Sequence, residues 1–520
     1  MQFSFAEAAW YFLAACDEIH FLSIMKELGG GEPHSISESR SLADNVLVHS
    51  KSPMEWIYRK CPPGGSVPSR YSDEAYVAAA KLSQLSRDYL SFESAFSYAS
   101  WGLVTLSIEG KCIKTAGAMR EDARYYAYDR LVNYDPNLGL KPPSDDSIAK
   151  MILGSLRVKG ESFSYSLNPR LAKHVLEWVG STLDERFSLP SEWKLPDYTL
   201  GEFSAVAKVL WALGFIHDQA RLFAATSGCK GGGYSNTLLL LDSEELLQRV
   251  RRYSGVPLER ISAIVADLTY GSRDQNRPDP ALQPLIKLNS RVFGIAPSIM
   301  LNSSMERNFT VLLNRIPEAR AIYTRLNRDK EIVSRSRIVE SLAQLDLDFN
   351  YGNVPTWGGA AEIDLAIVSR TERVCLLLEL KSFIAPAEAR EIKDRSEEIA
   401  KGIKQIRDRC HMYSKNPEAL HGFLQTDNTY KYFWAVASEN SIGASYVQDS
   451  DVPVINLRHF LAHLKRVSSL GQTCDWLERR AYLPVDGVNY REIPIKSTIG
   501  QWTIEWYGIQ ILTEKYCDHS

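Results

Sequence analysis

The sequence predicts an α/β protein, in which a small domain with a central mixed sheet follows a larger, mainly helical amino-terminal region. Three observations predict it. Apolar residues recur at three- and four-residue spacing through most of residues 1–270, which is the spacing of one helical face. From about Arg328 that pattern gives way to short strand-like runs alternating with helical ones, as sheet-and-helix layers require. Between the two lies GSRDQNRPDPALQP, polar and proline-rich from Gly271, which reads as a boundary.

At 520 residues the chain exceeds one ordinary core and divides into roughly two to four units. Its 45% apolar and 24% charged content is that of a globular protein and excludes a disordered or fibrous chain. A formal net charge of −3 carries no global nucleic-acid signature, so any site for a polyanion must be a local patch. Eight cysteines without a CxxC pair read as reduced, packed thiols, neither a disulfide framework nor a zinc site, and point to a cytoplasmic location. The opening MQFSFAEAAWYFLAACDEIHFL has no basic leading segment and is interrupted by Asp17 and Glu18, so it reads as a packed helix and not as a signal peptide. With no uninterrupted run of about 18 apolar residues, no membrane span is predicted.

In chain order, SLADNVLVHS, DEAYVAAAKLSQLSRDYLSF, SIAKMILGSL, LAKHVLEWVGSTL and GEFSAVAKVLWALGFIHDQARLFAA carry helical spacing, and SEELLQRVRRYSG opens on a capping serine and closes on glycine. SGCKGGGYSN, Ser227 to Asn236, is glycine-rich, but its lysine precedes the glycines and no GK[ST] follows. It reads as a flexible turn into the strand TLLLLD, not as a phosphate cradle. PLIKLNSRVFGIAP reads as a hairpin turning at Asn289 and Ser290, with helical material continuing to Leu326. The chain therefore divides into a helical regulatory, sensor or binding region (1–270), a linker with a connecting hairpin and helix (271–327), the α/β domain (328–466) and a β-rich extension (467–520).

Within 328–466 a helix (KEIVSRSRIVESLAQL) precedes a strand (DLDFNYG) and a hairpin (AEIDLAIVSRTERVCLLLELK). A charged helix (PAEAREIKDRSEEIAKGIKQIRDRC), a strand (KYFWAVASE) and a strand-to-helix unit (VPVINLRHFLAHLKR) come next, and GQWTIEWYGIQIL adds one or two strands. HFLAH places His459 and His463 on one helical face, but Phe460 stands where a zincin has its glutamate, so zinc is not expected there.

The hairpin poses the chemical question, because its apolar second strand ends on Glu379 and Lys381. Residues two apart in a strand share a face, so these two side chains point the same way. If the turn is Arg370 to Arg373, Val374 pairs with Ser369 and Glu379 lies opposite Asp364, with Cβ atoms about 5 Å apart. Like charges that close are costly unless a cation lies between them, and carboxylate oxygens suit Mg2+ or Mn2+. A lysine on the same face is placed to orient or deprotonate a water on such an ion, which makes a hydrolytic centre for phosphodiesters. The plainer reading is a solvated strand end that discourages aggregation.

Asp364 followed by Glu379-Leu380-Lys381, on a hairpin between a preceding and a following helix, resembles the motif of the PD-(D/E)XK nuclease superfamily. The leading proline is absent, since the sequence reads Glu362-Ile363-Asp364. The resemblance implies a restriction-endonuclease-like mixed sheet flanked by helices. It also implies Asp364, Glu379 and the Leu380 carbonyl as metal ligands, with Lys381 as the water-orienting residue. Members often add a glutamate from the preceding helix, where Glu340 is the first choice and Glu331 the alternative. RecB-like members place a glutamine on the following helix, a place that Gln405 fits, although no tyrosine completes that signature. Lys401, Lys404, Arg407 and Arg409 enrich the end of that helix in basic residues and are expected to contact phosphates.

The carboxylate pair, its lysine and the resemblance together imply a Mg2+- or Mn2+-dependent nuclease acting on DNA in preference to RNA. The resemblance also implies a homodimer as one form of the protein, since many members pair two single-centre domains to cut both strands of a duplex. A motif of this kind beside a large helical region resembles prokaryotic anti-phage defence effectors, in which the partner region senses a protein or phage-derived trigger. A catalytically silent scaffold that binds nucleic acid or protein, and a repair or recombination nuclease, are the alternatives.

Overall fold

The structure is a computed structural model that describes residues 3–28, 36–68, 72–116, 119–133, 147–184, 190–272, 278–315, 320–322, 330–356, 359–448, 451–513 and 516. Its strands are β1 (Thr105–Glu109), β2 (Cys112–Ala116), β3 (Arg157–Lys159), β4 (Ser162–Ser164), β5 (Leu239–Asp242), β6 (Leu285–Lys287), β7 (Val292–Ile295), β8 (Asp348–Thr356), β9 (Gly359–Ser369), β10 (Val374–Lys381), β11 (Lys431–Ser438), β12 (Val454–Asn456), β13 (Tyr490–Ile499) and β14 (Trp502–Ile511). The fold is mixed α/β with several sheets, and the chain forms two compact units: Met1–Leu90 with Leu140–Leu326, and Ser91–Gly139 with Asn327–Ser520.

The first unit is built on the helix Leu200–Thr226, which opens with a capping box between Thr199 and Glu202. By length and composition this helix could cross a membrane, yet 67% of its most apolar stretch is buried, with residues in two core clusters. The glycine-rich turn after it is packed at Gly233: Gly231, Gly232 and Gly233 hold φ of 58°, 58° and 70°, and a Cβ on Gly233 would stand 3.0 Å from the Phe163 ring. β5, β7 and β6 form an antiparallel sheet. At the β6–β7 turn Asn289 Oδ1 accepts from the Arg291 and Val292 amides at 2.9 and 3.0 Å. The cap of the helix Ser243–Ser254 is Asp242, which accepts from Glu244 N at 2.9 Å, and not the serine. Ser243 instead donates its hydroxyl to the Arg291 carbonyl at 3.0 Å.

The second unit carries a five-stranded sheet in the order β12-β11-β10-β9-β8. β8, β9 and β10 run antiparallel; β11 and β12 are parallel to β10, with the helix Ala389–Lys415 in the β10–β11 crossover. Alternation along β10 divides its neighbours. Cys375 and Leu377 cluster with Tyr413 of that helix, whereas Val374, Leu376, Leu378 and Leu380 join Ile338 and Leu342 of the helix Lys330–Leu342 and Phe460 of the helix Leu457–Val467.

Residues 91–139 belong with this unit and not with the rest of 1–270. β2 pairs in parallel with β14, giving a second sheet β1-β2-β14-β13. The helix Met119–Asn133 docks on the loop after β11: Asp122 accepts from Ser445 N at 2.8 Å, Asp129 from Ile442 N at 3.0 Å, and Asn133 donates to the Asn440 carbonyl at 2.7 Å. Tyr128 of that helix meets His459 Nδ1 at 3.1 Å, and His463 stacks on Trp476 with centroids 3.7 Å apart.

Candidate active site

The hairpin β9–β10 turns through Arg370 to Arg373 with Val374 opposite Ser369, as the spacing predicts. The pairing runs as far as Leu378 opposite Leu365. On the other side of β9, Asn350 pairs with Ala366 but Gly352 with Ile363, so β9 has one residue more than β8 across Asp364 and Leu365. Such a bulge re-aims a side chain. The Asp364 carboxylate turns to β10 and accepts the Leu380 amide N–H at 2.8 Å. A direct opposition of Asp364 and Glu379 in the ladder is therefore replaced by a bond from Asp364 to the peptide immediately after Glu379, because the bulge ends regular pairing.

Seven consecutive residues of β10, Val374 to Leu380, are buried, and Glu379 is only 2% exposed. A carboxylate that far from water requires compensation. Glu379 has it at both oxygens, since Oε1 accepts from Lys381 Nζ at 2.7 Å and Oε2 from the guanidinium of Arg409. Lys381 Nζ also lies 3.4 Å from Gln405 Oε1, a long contact. The helix Ala389–Lys415 passes close over this corner at Gly402, where a Cβ would stand 3.0 Å from Lys381 Cε and 3.3 Å from Glu379 Cγ. Gly402, Gln405 and Arg409 fall at i, i+3 and i+7, one face of that helix.

Asp364, Glu379, Lys381, Gln405 and Arg409 are thus brought to one end of β10, but Arg409 differs from expectation. It is largely buried against Glu379 and is not presented to phosphates. Lys401 pairs with Glu398 at 2.6 Å and Arg407 with Asp451 at 2.6 Å, while Lys404 is exposed. Leu380 is buried and pairs with Ala437 in the β10–β11 ladder. Glu340 does not join the site. The helix Lys330–Leu342 buries Lys330, Ser334, Ile338 and Leu342 at four-residue spacing, and Glu340, two residues from Ile338 and from Leu342, is on the exposed side. The Glu331 side chain lies outside the described residues. Sequence reasoning missed Gly402 and the pairing of Arg409. A glycine inside a charged helix, where it is unfavourable, was the available signal of a close approach.

Chemically, two carboxylates delivered to one peptide provide an all-oxygen donor set, which suits a hard divalent cation. Among the described residues no group of three or more His, Cys, Asp or Glu converges. An ion here would therefore take Asp364 and Glu379 from the protein and complete its shell with water and phosphate oxygens. A separate cavity of about 330 Å³ lies at the carboxyl ends of β10, β11 and β12, lined by Pro386, Ser441, Arg458, Asp122, Asp129 and Arg130 among others, and it does not include Glu379 or Lys381. Comparison with models of protein families, with curated proteins and with solved structures gives no match.

Proposed function

We propose that this chain is a Mg2+- or Mn2+-dependent nuclease that hydrolyses phosphodiester bonds of DNA, with its centre at the end of β10 and a restriction-endonuclease-like arrangement around it. The observation that carries the reading is that the Asp364 carboxylate is bonded to the Leu380 amide of β10, between Glu379 and Lys381, whose side chains pair with each other. The order of elements supports it: a preceding helix, the hairpin β9–β10 and a following helix are the setting in which the PD-(D/E)XK superfamily places its motif.

In this mechanism Asp364 and Glu379 would hold the ion, which would supply charge neutralisation for the phosphate and lower the pKa of a water. Lys381, tethered by Glu379 and roofed by Gly402, would orient the attacking water as a cation, its position set before substrate arrives. Lys401, Lys404 and Arg407 stand on the exposed side of the crossover helix, where they supply positive charge to a nucleic-acid backbone. The helical unit, Met1–Leu90 with Leu140–Leu326, is assigned the sensing of a trigger, as in a defence effector.

One observation favours a second reading, a catalytically silent fold that serves as a binding scaffold: both Glu379 oxygens already have cationic partners, so the site is charge-balanced without an ion. Incubating plasmid, single-stranded DNA and RNA with the protein in Mg2+, Mn2+ or EDTA separates the two. Metal-dependent cleavage that Asp364→Ala and Lys381→Ala each lower at least about a hundredfold is expected, since one removes an ion ligand and the other the group that positions the water. Cleavage that survives both substitutions would falsify the mechanism.

A further inference from the structure

We propose that Arg409 is a resident counter-cation, occupying the Glu379 oxygen that a divalent ion needs and leaving it when the ion binds, so that Arg409 sets the metal affinity of the site. This rests on the metal-dependent reading above. Glu379 is one carboxylate with two cationic partners, and all three side chains are shielded from water: 2% exposed for Glu379, 12% for Arg409 and 13% for Lys381. Glu379 thus already has a cation on each carboxylate oxygen. Adding a divalent cation at this shielded carboxylate is opposed by both resident cations, and the opposition is strong where water is excluded.

Geometry decides which cation leaves. Lys381 sits two residues from Glu379 on the same strand, and its stem is enclosed by the close approach of Gly402. Arg409 reaches in from the helix Ala389–Lys415 with exposed neighbours at Asp408 and His411, so its guanidinium has a path to water. A guanidinium stays charged at any working pH, so it must leave Glu379 as a cation and cannot be neutralised in place. Lys381 keeps its oxygen and its place beside the ion, while Arg409 gives up Oε2.

Mn2+ binding to the full-length chain, followed by the spin-resonance signal of free Mn2+, tests this without any turnover. Arg409→Gln is expected to bind Mn2+ about tenfold more tightly than wild type, a modest share of the repulsion removed. Glu379→Gln is expected to lose binding, and Arg390→Gln, at the exposed opposite end of the same helix, to bind as wild type. If Arg409→Gln binds no more tightly while Glu379→Gln still abolishes binding, the counter-cation role is wrong and the metal site stands. If no variant binds Mn2+, both fall. Melting curves guard against a folding defect: Arg409→Gln should melt below wild type in EDTA and recover in Mn2+, because the ion replaces the missing charge. A loss of melting temperature that Mn2+ leaves untouched would mean a purely structural ion pair.

Discussion

Gly402 shows how one side chain's absence shapes the proposed centre. Replacing a helical glycine by alanine normally stabilises by about 1 kcal/mol, since it removes backbone entropy from the unfolded chain. Here the new methyl would meet Lys381 Cε at 3.0 Å and Glu379 Cγ at 3.3 Å. The nearer atom is the far end of a flexible side chain, which moves aside at small cost. Gly402→Ala is therefore expected to melt within a few degrees of wild type and yet to cleave at least tenfold more slowly, because the displaced amine no longer addresses the water. Undiminished cleavage by a folded Gly402→Ala protein would show that the Lys381 position does not matter.

Among the elements, the helix Met119–Asn133 carries a carboxyl with a consequence for pH. Burial pushes the Asp129 carboxyl up to about 7 from 3.8, against the lowering effect of hydrogen bonds from Ser441 and the Ile442 amide. Between those values the folded state keeps a proton that the unfolded chain has released, so stability falls as pH rises through the interval. His459, packed between Tyr128 and Trp476, titrates the opposite way: burial lowers it to about 3 from 6.5, and stability falls as pH drops below 6.5. Asp129→Asn should flatten the decline in melting temperature of the second unit from pH 4 to 7. An unchanged slope would assign that decline to other groups. The bulge at Asp364 and Leu365 belongs to this scale too, since one extra residue in β9 turns a ladder position into a side-chain acceptor for β10.

For the molecule as a whole, the α/β domain is not a contiguous piece of chain. Tyr128, Leu131 and Val132 from residues 119–133 share a core cluster with β10 and β11, and so do Leu470, Cys474, Trp476 and Leu477 from the helix Leu470–Glu478. A fragment of residues 328–466 leaves the partners of those side chains exposed as a contiguous apolar patch, of the kind that drives association. It is expected to aggregate or to lack a cooperative melt. A well-dispersed amide spectrum from that fragment would contradict the shared core.

The sequence by itself determined the strands and the longer helices of residues 328–466, though not the helices Pro417–Leu424 and Ser445–Gln448, together with the four-residue turn that sets Val374 opposite Ser369 and the placing of Asp364, Glu379 and Lys381 at one end of β10. These features are local: periodicity, a short turn and side-chain alternation act over a few residues. Only the tertiary structure decided that Arg409 pairs with Glu379, that Glu340 is on the far side of its helix, and that β2 adds in parallel to β14. Glu340 depended on helical phase relative to a sheet not yet placed, and the β2–β14 pairing joins segments nearly four hundred residues apart, so neither leaves a mark on neighbouring residues. Arg409 reads as one more base on a charged helix until the close approach at Gly402 carries it over a buried carboxylate that needs a second cation.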